Sequence, residues 1–186
     1  MDLPEGTVRG NIRAFIELHS GILGDNVLEC GSRIDDPHAW WVNNRYLAKG
    51  AWTGVDFQDG PNVDHICDIE KLPPEWTDEF TGVLCSEVME HLRRPQRALS
   101  QLYRVMQPGA GMIVTTLTDF PIHSYPDDYR RWTESGLRVE LEDAGFLRIE
   151  TAQAGFIKFS LCDHGEERRT IMDCPIHVFA TAFKPE

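Results

Sequence analysis

The stretch VLCSEVMEHLRRPQRALSQLYRVMQPGAGMIVTTL, residues 83–117, decides the architecture. It opens on a short apolar run that stops at Ser86-Glu87, and it closes on a second run from Gly111 to Leu117. Between them Pro95 stands where a helix begins, and Ala98, Leu99, Leu102, Val105 and Met106 recur at helical spacing until Pro108-Gly109. Strand, helix and strand in this order form a crossover unit, the connection that joins parallel strands and lays a helix over the sheet.

Working outward, the same alternation continues in both directions. Thr7 caps a helix to about His19 that gathers Val8, Ile12, Phe15 and Ile16 on one face. Strands are expected at Asn26–Cys30, Ala51–Asp56, around Val63–Cys67 and at Thr81–Ser86. Asp36-Pro37 opens a helix that carries Trp40, Trp41, Asn44, Leu47 and Ala48 and closes at Gly50. Thr133 caps a later helix, with Trp132 and Leu137 as its hydrophobic staple and Gly145 as its end. Phe146–Thr151 and His177–Phe183 are the expected last strands. No repeat or linker divides the chain, so one α/β domain is expected over 1–186, with residues 1–25 packing on or capping the core.

Composition narrows the function classes. The net charge of −12 opposes a nucleic-acid partner, because neutralising phosphates takes a basic face. There is no apolar run long enough to span a bilayer, and MDLPEGTVRG lacks a signal-peptide core, so a cytoplasmic location and no membrane partner are expected. Five cysteines without a CxxC pair read as reduced thiols. Cys162, His164 and Cys174 are spaced too loosely for structural zinc, and no metal is expected.

In an open parallel sheet, ligands sit at the carboxyl ends of the strands. Three successive strands end in or just before a carboxylate: Asp56 closes the second, Asp68 follows the third and Glu87 follows the fourth, while Glu29 lies at the end of the first. Asp56 follows Glu29 by close to the offset, about 20 residues, at which such folds place a ribose-binding acid. Phe57 is placed to cover an adenine face, and Asp68 to accept from an exocyclic amine. The first loop, Glu29-Cys30-Gly31-Ser32-Arg33-Ile34-Asp35-Asp36, has one glycine where a dinucleotide site wants three, and its acids would repel a pyrophosphate. They tolerate a ligand with an ammonium and a sulfonium, whose carboxylate Arg33 or loop amides can meet. S-adenosylmethionine is such a ligand.

With those residues in view, the chain resembles the class I S-adenosylmethionine-dependent methyltransferases, in their small type 11 branch. VLECGSR, TGVDF and CDIEKLP are similar to that family's first three motifs, and EVMEHL followed by RVMQPGAG is the most specific match. The resemblance runs from residue 26 to 186 and implies a three-layer Rossmann-like fold, a mostly parallel sheet of about seven strands with an antiparallel last strand. It implies that Glu29, Gly31 and Ser32 hold the methionine end, Asp56 the ribose, Asp68 and Ile69 the adenine, and that Ser86 and Glu87 line the pocket near the methyl. Arg33 stands where the family usually has a further glycine.

Transfer to oxygen requires an aligned acceptor and a group to take its proton. His123, His91 and Asp128 are the candidates for that catalytic work, and Tyr125, Tyr129 and Arg130 for substrate contact, with Arg130 or Arg131 meeting an anionic group. A small metabolite or sugar-like acceptor, methylated on oxygen, is expected. The N-terminal helix and the loops 118–132 and 155–176 are the only extra material, and DHGEERR (163–169) is a candidate lid. The rival readings are a non-catalytic S-adenosylmethionine-binding partner module and a nicotinamide-dependent oxidoreductase.

Overall fold

A computed structural model describes residues 7–34, 44–123, 127–162 and 169–186. The elements, in chain order, are α1 (Val8–His19), β1 (Asn26–Cys30), β2 (Ala51–Asp56), β3 (His65–Ile66), β4 (Phe80–Ser86), α2 (Pro95–Val105), β5 (Met106–Leu117), α3 (Glu134–Asp143), β6 (Leu147–Cys162) and β7 (Arg169–Phe183). They build one seven-stranded sheet in the order β3-β2-β1-β4-β5-β7-β6. The pairings of β1 with β2 and β4, of β2 with β3 and of β4 with β5 are parallel. β7 runs antiparallel to both of its neighbours. This is the expected three-layer, Rossmann-like sheet.

The layers follow from a period of two along the central strands. Leu28, Cys30, Val83, Cys85, Met112, Val114, Val178 and Ala180 pack with Leu99 and Leu102 of α2 and Leu137 and Leu141 of α3. The residues between them, Val27, Leu84, Ile113 and Phe179, turn to the opposite face and meet Ile12 and Ile16 of α1. The N-terminal helix therefore closes the second face of the sheet. Its cap forms as expected, with the Thr7 side chain accepting from Gly10 N. Thr133 caps α3 in the same way through Gly136 N, and Trp132 and Leu137 are both buried at that end.

β1 and β2 take the expected residues. Three expectations need correcting. The helix that begins at Pro95 stops at Val105, and Met106 already pairs with Phe80, so Pro108-Gly109 lies inside β5. β3 contracts to His65–Ile66. Most of the helix expected from Asp36 to Gly50 lies outside the described residues, at 35–43, and its described part holds one 3-10 turn, Asn44–Leu47.

The largest departure is at the end of the chain. Where 155–176 was expected as a loop, β6 and β7 continue as a two-stranded hairpin, paired from Leu147↔Phe183 out to Cys162↔Arg169. β5 accompanies β7 only to Leu117↔His177, so the rest of the hairpin runs on alone. Residues 163–168, which held most of the lid candidate, lie outside the described residues. No described helix is long and apolar enough to cross a membrane.

Candidate functional site

A cavity of about 860 Å³ opens at the carboxyl ends of β1, β2 and β4, a size suited to a cofactor together with a small partner. Its walls come from the strand-end loops and from α1, which contributes Arg9, Ile12, Arg13 and Ile16. Of the expected cofactor residues, Glu29, Gly31, Arg33, Asp56, Phe57, Asp68, Ile69, Ser86 and Glu87 all line it. Ser32 does not: it is buried against β2, close to Gly54, and its backbone N–H donates to Val55 O.

The loop after β1 turns at once because Gly31 is in the left-handed region, at φ +69°. Its N–H donates to Val55 O at 2.9 Å, and a Cβ there would stand 2.5 Å from the Val88 methyl that forms the facing wall. Bare backbone at this point gives a ligand room that any side chain would take. Arg33 is bound to Gln58 at the same rim.

Glu29 is 4% exposed and enters beneath α1. Its oxygens accept from Asn44 Nδ2 and Trp52 Nε1, each at 2.8 Å, and burial raises its carboxyl above the ordinary value. Asp56 and Asp68 are more open. Each spends one oxygen on the turn that follows it, Asp56 on Gln58 N at 2.9 Å and Asp68 on Glu70 N at 2.8 Å. The second oxygen of each has no hydrogen bond among the described residues and can meet a ligand hydroxyl or amine, while half-exposed Phe57 and buried Ile69 supply apolar surface beside them. A polar, acid-marked end next to apolar surface fits a cationic nucleoside such as S-adenosylmethionine, and its acids oppose a pyrophosphate.

β4 delivers the opposite wall. Ser86 Oγ lies 2.8 Å from Thr115 Oγ1. Glu87 adopts φ +55°, unfavourable for a residue with a Cβ, and is held there by Thr115: its N–H donates to Thr115 O at 2.8 Å and its carboxylate accepts from Thr115 Oγ1 at 2.9 Å. Behind it, His177 of β7 is fully buried with Nε2 3.3 Å from Glu87 Oε2.

The 3-10 turn Met89–His91 then brings the two expected histidines together. His91 and His123 line the cavity with ring centroids 5.3 Å apart. His91 Nδ1 is 2.6 Å from Asp127 O, and His123 Nδ1 is 3.1 Å from Asp128 Oδ2. Asp128 itself stands under His123 with a side chain 1% exposed, and Arg131 grips it bidentately, through Nη2 at 2.7 Å among others. That guanidinium holds the carboxyl well below the usual range, so Asp128 orients His123 and stays ionised. Tyr129 reaches the cavity with its hydroxyl on Asp127.

The anion-pairing expectation fails for both arginines. Arg130 donates to Leu92 O and Arg93 O, and Arg131 is spent on Asp128 and the carbonyls of Phe120 and Pro121. Both tie the loop down instead. The cavity's arginines are Arg9, Arg13, Arg33 and Arg93. Tyr125 lies outside the described residues.

One central residue was not anticipated. Glu90 is completely buried, accepts from Thr116 Oγ1 at 2.8 Å through Oε2, and leaves Oε1 without a hydrogen bond among the described residues. Burial, with the charge of Glu87 added, pushes its carboxyl up to about 8. A charged residue between Met89 and Leu92 in EVMEHL was the available signal, since it breaks an otherwise apolar turn.

Comparison with known proteins agrees with this geometry. A family model described as a methyltransferase domain matches residues 45–114. The ubiquinone biosynthesis O-methyltransferase of Chromobacterium violaceum is 26% identical over 119 residues, which is 55% of this chain and 49% of that protein. The chain therefore spans about half the length of the curated relatives it matches. A S-adenosylmethionine-dependent methyltransferase from Archaeoglobus fulgidus superposes with a TM-score of 0.68 at 18% identity, covering 95% of this chain and 94% of that one. The 1,6-didemethyltoxoflavin N1-methyltransferase of Burkholderia thailandensis, solved with S-adenosylhomocysteine, gives 0.67 at 15% identity over 98% and 80%. The fold expectation is met, and the match to the methyltransferase-domain model falls within residues 45–114.

Proposed function

We propose, from the premise that the chain carries the methyltransferase domain on a class I Rossmann-like fold, that it moves a methyl group from S-adenosylmethionine to an oxygen of a small acceptor. The observation that carries the reading is one cavity with strand-end carboxylates Asp56 and Asp68 at one side and the imidazoles of His91 and His123 at the other. The cofactor supplies an electrophilic methyl on a sulfonium. Asp56 would hold the ribose hydroxyls, Asp68 with Ile69 the adenine, and Glu29 with the Gly31 backbone the methionine end.

His91 and His123 stand where an acceptor hydroxyl must lose its proton. Asp127 O and Asp128 fix one nitrogen of each ring, which leaves the other nitrogen basic and aimed by its partner. An oxygen acceptor is supported by this pair of bases and by the O-methyltransferase names of the curated relatives. The acceptor is small, a metabolite or sugar-like molecule, because the cavity must also hold the cofactor. An anionic group on it would meet Arg9 or Arg93 rather than Arg130.

Calorimetric titration with S-adenosylmethionine and, separately, NAD tests the premise. Micromolar binding of the first alone is expected. Asp56→Ala should weaken it about 10- to 150-fold, the worth of one hydrogen bond to a charged group. Binding of NAD alone would overturn the reading. Mass spectrometry of products from hydroxylated small molecules tests the oxygen, and methyl groups found only on nitrogen would exclude it.

A further inference from the structure

We propose that Glu90, His91 and His123 form a binding site for one divalent cation at the acceptor side of the cavity. The proposal rests on the methyltransferase reading for its chemistry and on the following geometry for the site itself. One ligating atom from each of the three residues lies within 4.8 Å of the other two, so that a small inward adjustment of the side chains lets a single ion touch all three. Glu90 Oε1 is 3.8 Å from His91 Nε2.

The second observation is the state of that oxygen. Glu90 has no solvent exposure, its Oε2 is satisfied by Thr116, and its Oε1 has no hydrogen bond among the described residues. A carboxylate oxygen buried in this way loses its hydration without a return unless something ligates it. The group is aimed at the two imidazoles.

The imidazoles are prepared in the manner of metal ligands. Ligating histidines hold their second nitrogen against a carbonyl or carboxylate, which fixes the ring and presents a lone pair at the other nitrogen. Here Asp127 O serves His91 and the Asp128 carboxylate serves His123, at 2.6 and 3.1 Å. Asp128 is in turn fixed by Arg131. Two nitrogens and one carboxylate oxygen favour a borderline ion such as Zn²⁺, Co²⁺ or Mn²⁺ over Mg²⁺ or Ca²⁺, which prefer oxygen alone. Three protein ligands leave coordination positions open to an acceptor oxygen.

A cation at this corner specifies how the acceptor is activated. The acceptor hydroxyl, polarised by the ion, releases its proton to bulk water. Its oxygen forms the new O–C bond while the C–S bond of the cofactor breaks, and the electron pair of that bond remains on sulfur as a neutral thioether. With the ion bound the two histidines serve as its ligands, and the role of base passes from them to water.

The test uses the full chain stripped of metal with a chelator. Titration with Zn²⁺ should show one site of micromolar or tighter affinity, weakened at least tenfold in Glu90→Gln and in His123→Ala. His123 has a side chain 42% exposed, so its variant should melt within about 2 °C of the wild type and isolates the ligand effect from the fold. Co²⁺ should give visible d–d absorption that disappears in His123→Ala. Absence of Zn²⁺ and Co²⁺ binding, or binding unchanged in both variants, overturns the site. S-adenosylmethionine is titrated in parallel: cofactor binding without metal binding refutes the cation alone, and metal binding without cofactor binding refutes the methyltransferase reading beneath its chemistry.

Discussion

Replacing Trp52 by Phe should destabilise the protein more at alkaline than at acid pH, because the indole supports a buried charge. Trp52 Nε1 donates to Glu29 Oε2 at 2.8 Å, and Asn44 serves the other oxygen at the same distance. Burial raises the Glu29 carboxyl, so the folded protein holds that proton more firmly than the unfolded chain does. Stability from this group is therefore fully present below the unfolded value, about 4.3, and declines as pH rises through the folded value. Removing the indole donor takes away a contribution that favours the ionised form, so the folded value climbs further and the decline extends. One hydrogen bond to a charged group is worth about 1.5–3 kcal/mol. A central figure of about 2 kcal/mol corresponds to a Tm shift of about 4–8 °C for a domain of this size. The smaller ring also costs packing, but that loss is the same at every pH. Melting curves of both proteins at pH 4 and pH 8 separate the two effects: the wild-type advantage should be larger at pH 8 by about 4–8 °C. A gap equal at both values would show that the indole does not support the Glu29 charge, and one larger at pH 4 would reverse the sign of the argument.

Gly31→Ala should cost about 1–2 kcal/mol for the left-handed backbone and push Val88 into the cavity; calorimetry should then show S-adenosylmethionine binding weakened at least tenfold. Leu102→Ala, fully buried between α2 and the sheet, should lose about 2–5 kcal/mol, read by urea unfolding at an unchanged slope. A loss under about 1 kcal/mol would mean that the α2 layer relaxes around the cavity. Thr133→Ala removes the acceptor for Gly136 N at the start of α3 and should cost about 1 kcal/mol, whereas Thr133→Ser should stay close to wild type in the same assay.

The parts legible in the sequence are those where one local rule decides. Asn26–Cys30 is a short run in the middle of the sheet, buried on both faces from Val27 onward, which leaves no competing pattern, and Ala51–Asp56 is bounded by Gly50 and Asp56. The strand-end acids were legible because the fold class fixes where ligands sit before any contact is known. Glu90 was hidden for the opposite reason: its role depends on Thr116, on a strand reached only after α2, and on His123 beyond that strand. Arg130 and Arg131 were misread because an arginine beside a site looks the same in sequence whether it meets a substrate or a backbone carbonyl.

The end of the chain shows how breakers mislead. Gly155 and Pro175 fall in the stretch expected as a loop, 155–176, yet both lie inside strands. Gly155 takes φ +73°, an irregularity that the paired strand absorbs. Pro175 falls where β7 has already run past β5, so on that side its missing N–H forfeits no ladder bond. On the other side it stands opposite Phe156 of β6. A proline excludes a central strand but permits an edge, and whether a position is an edge depends on where the neighbouring strand stops. Here β5 stops at Leu117, and the chain beyond it brings His123, Asp127 and Tyr129 to the cavity. The loop that supplies the acceptor side of the site thus also frees β7 to extend as a hairpin. Site and hairpin are two consequences of the same strand ending.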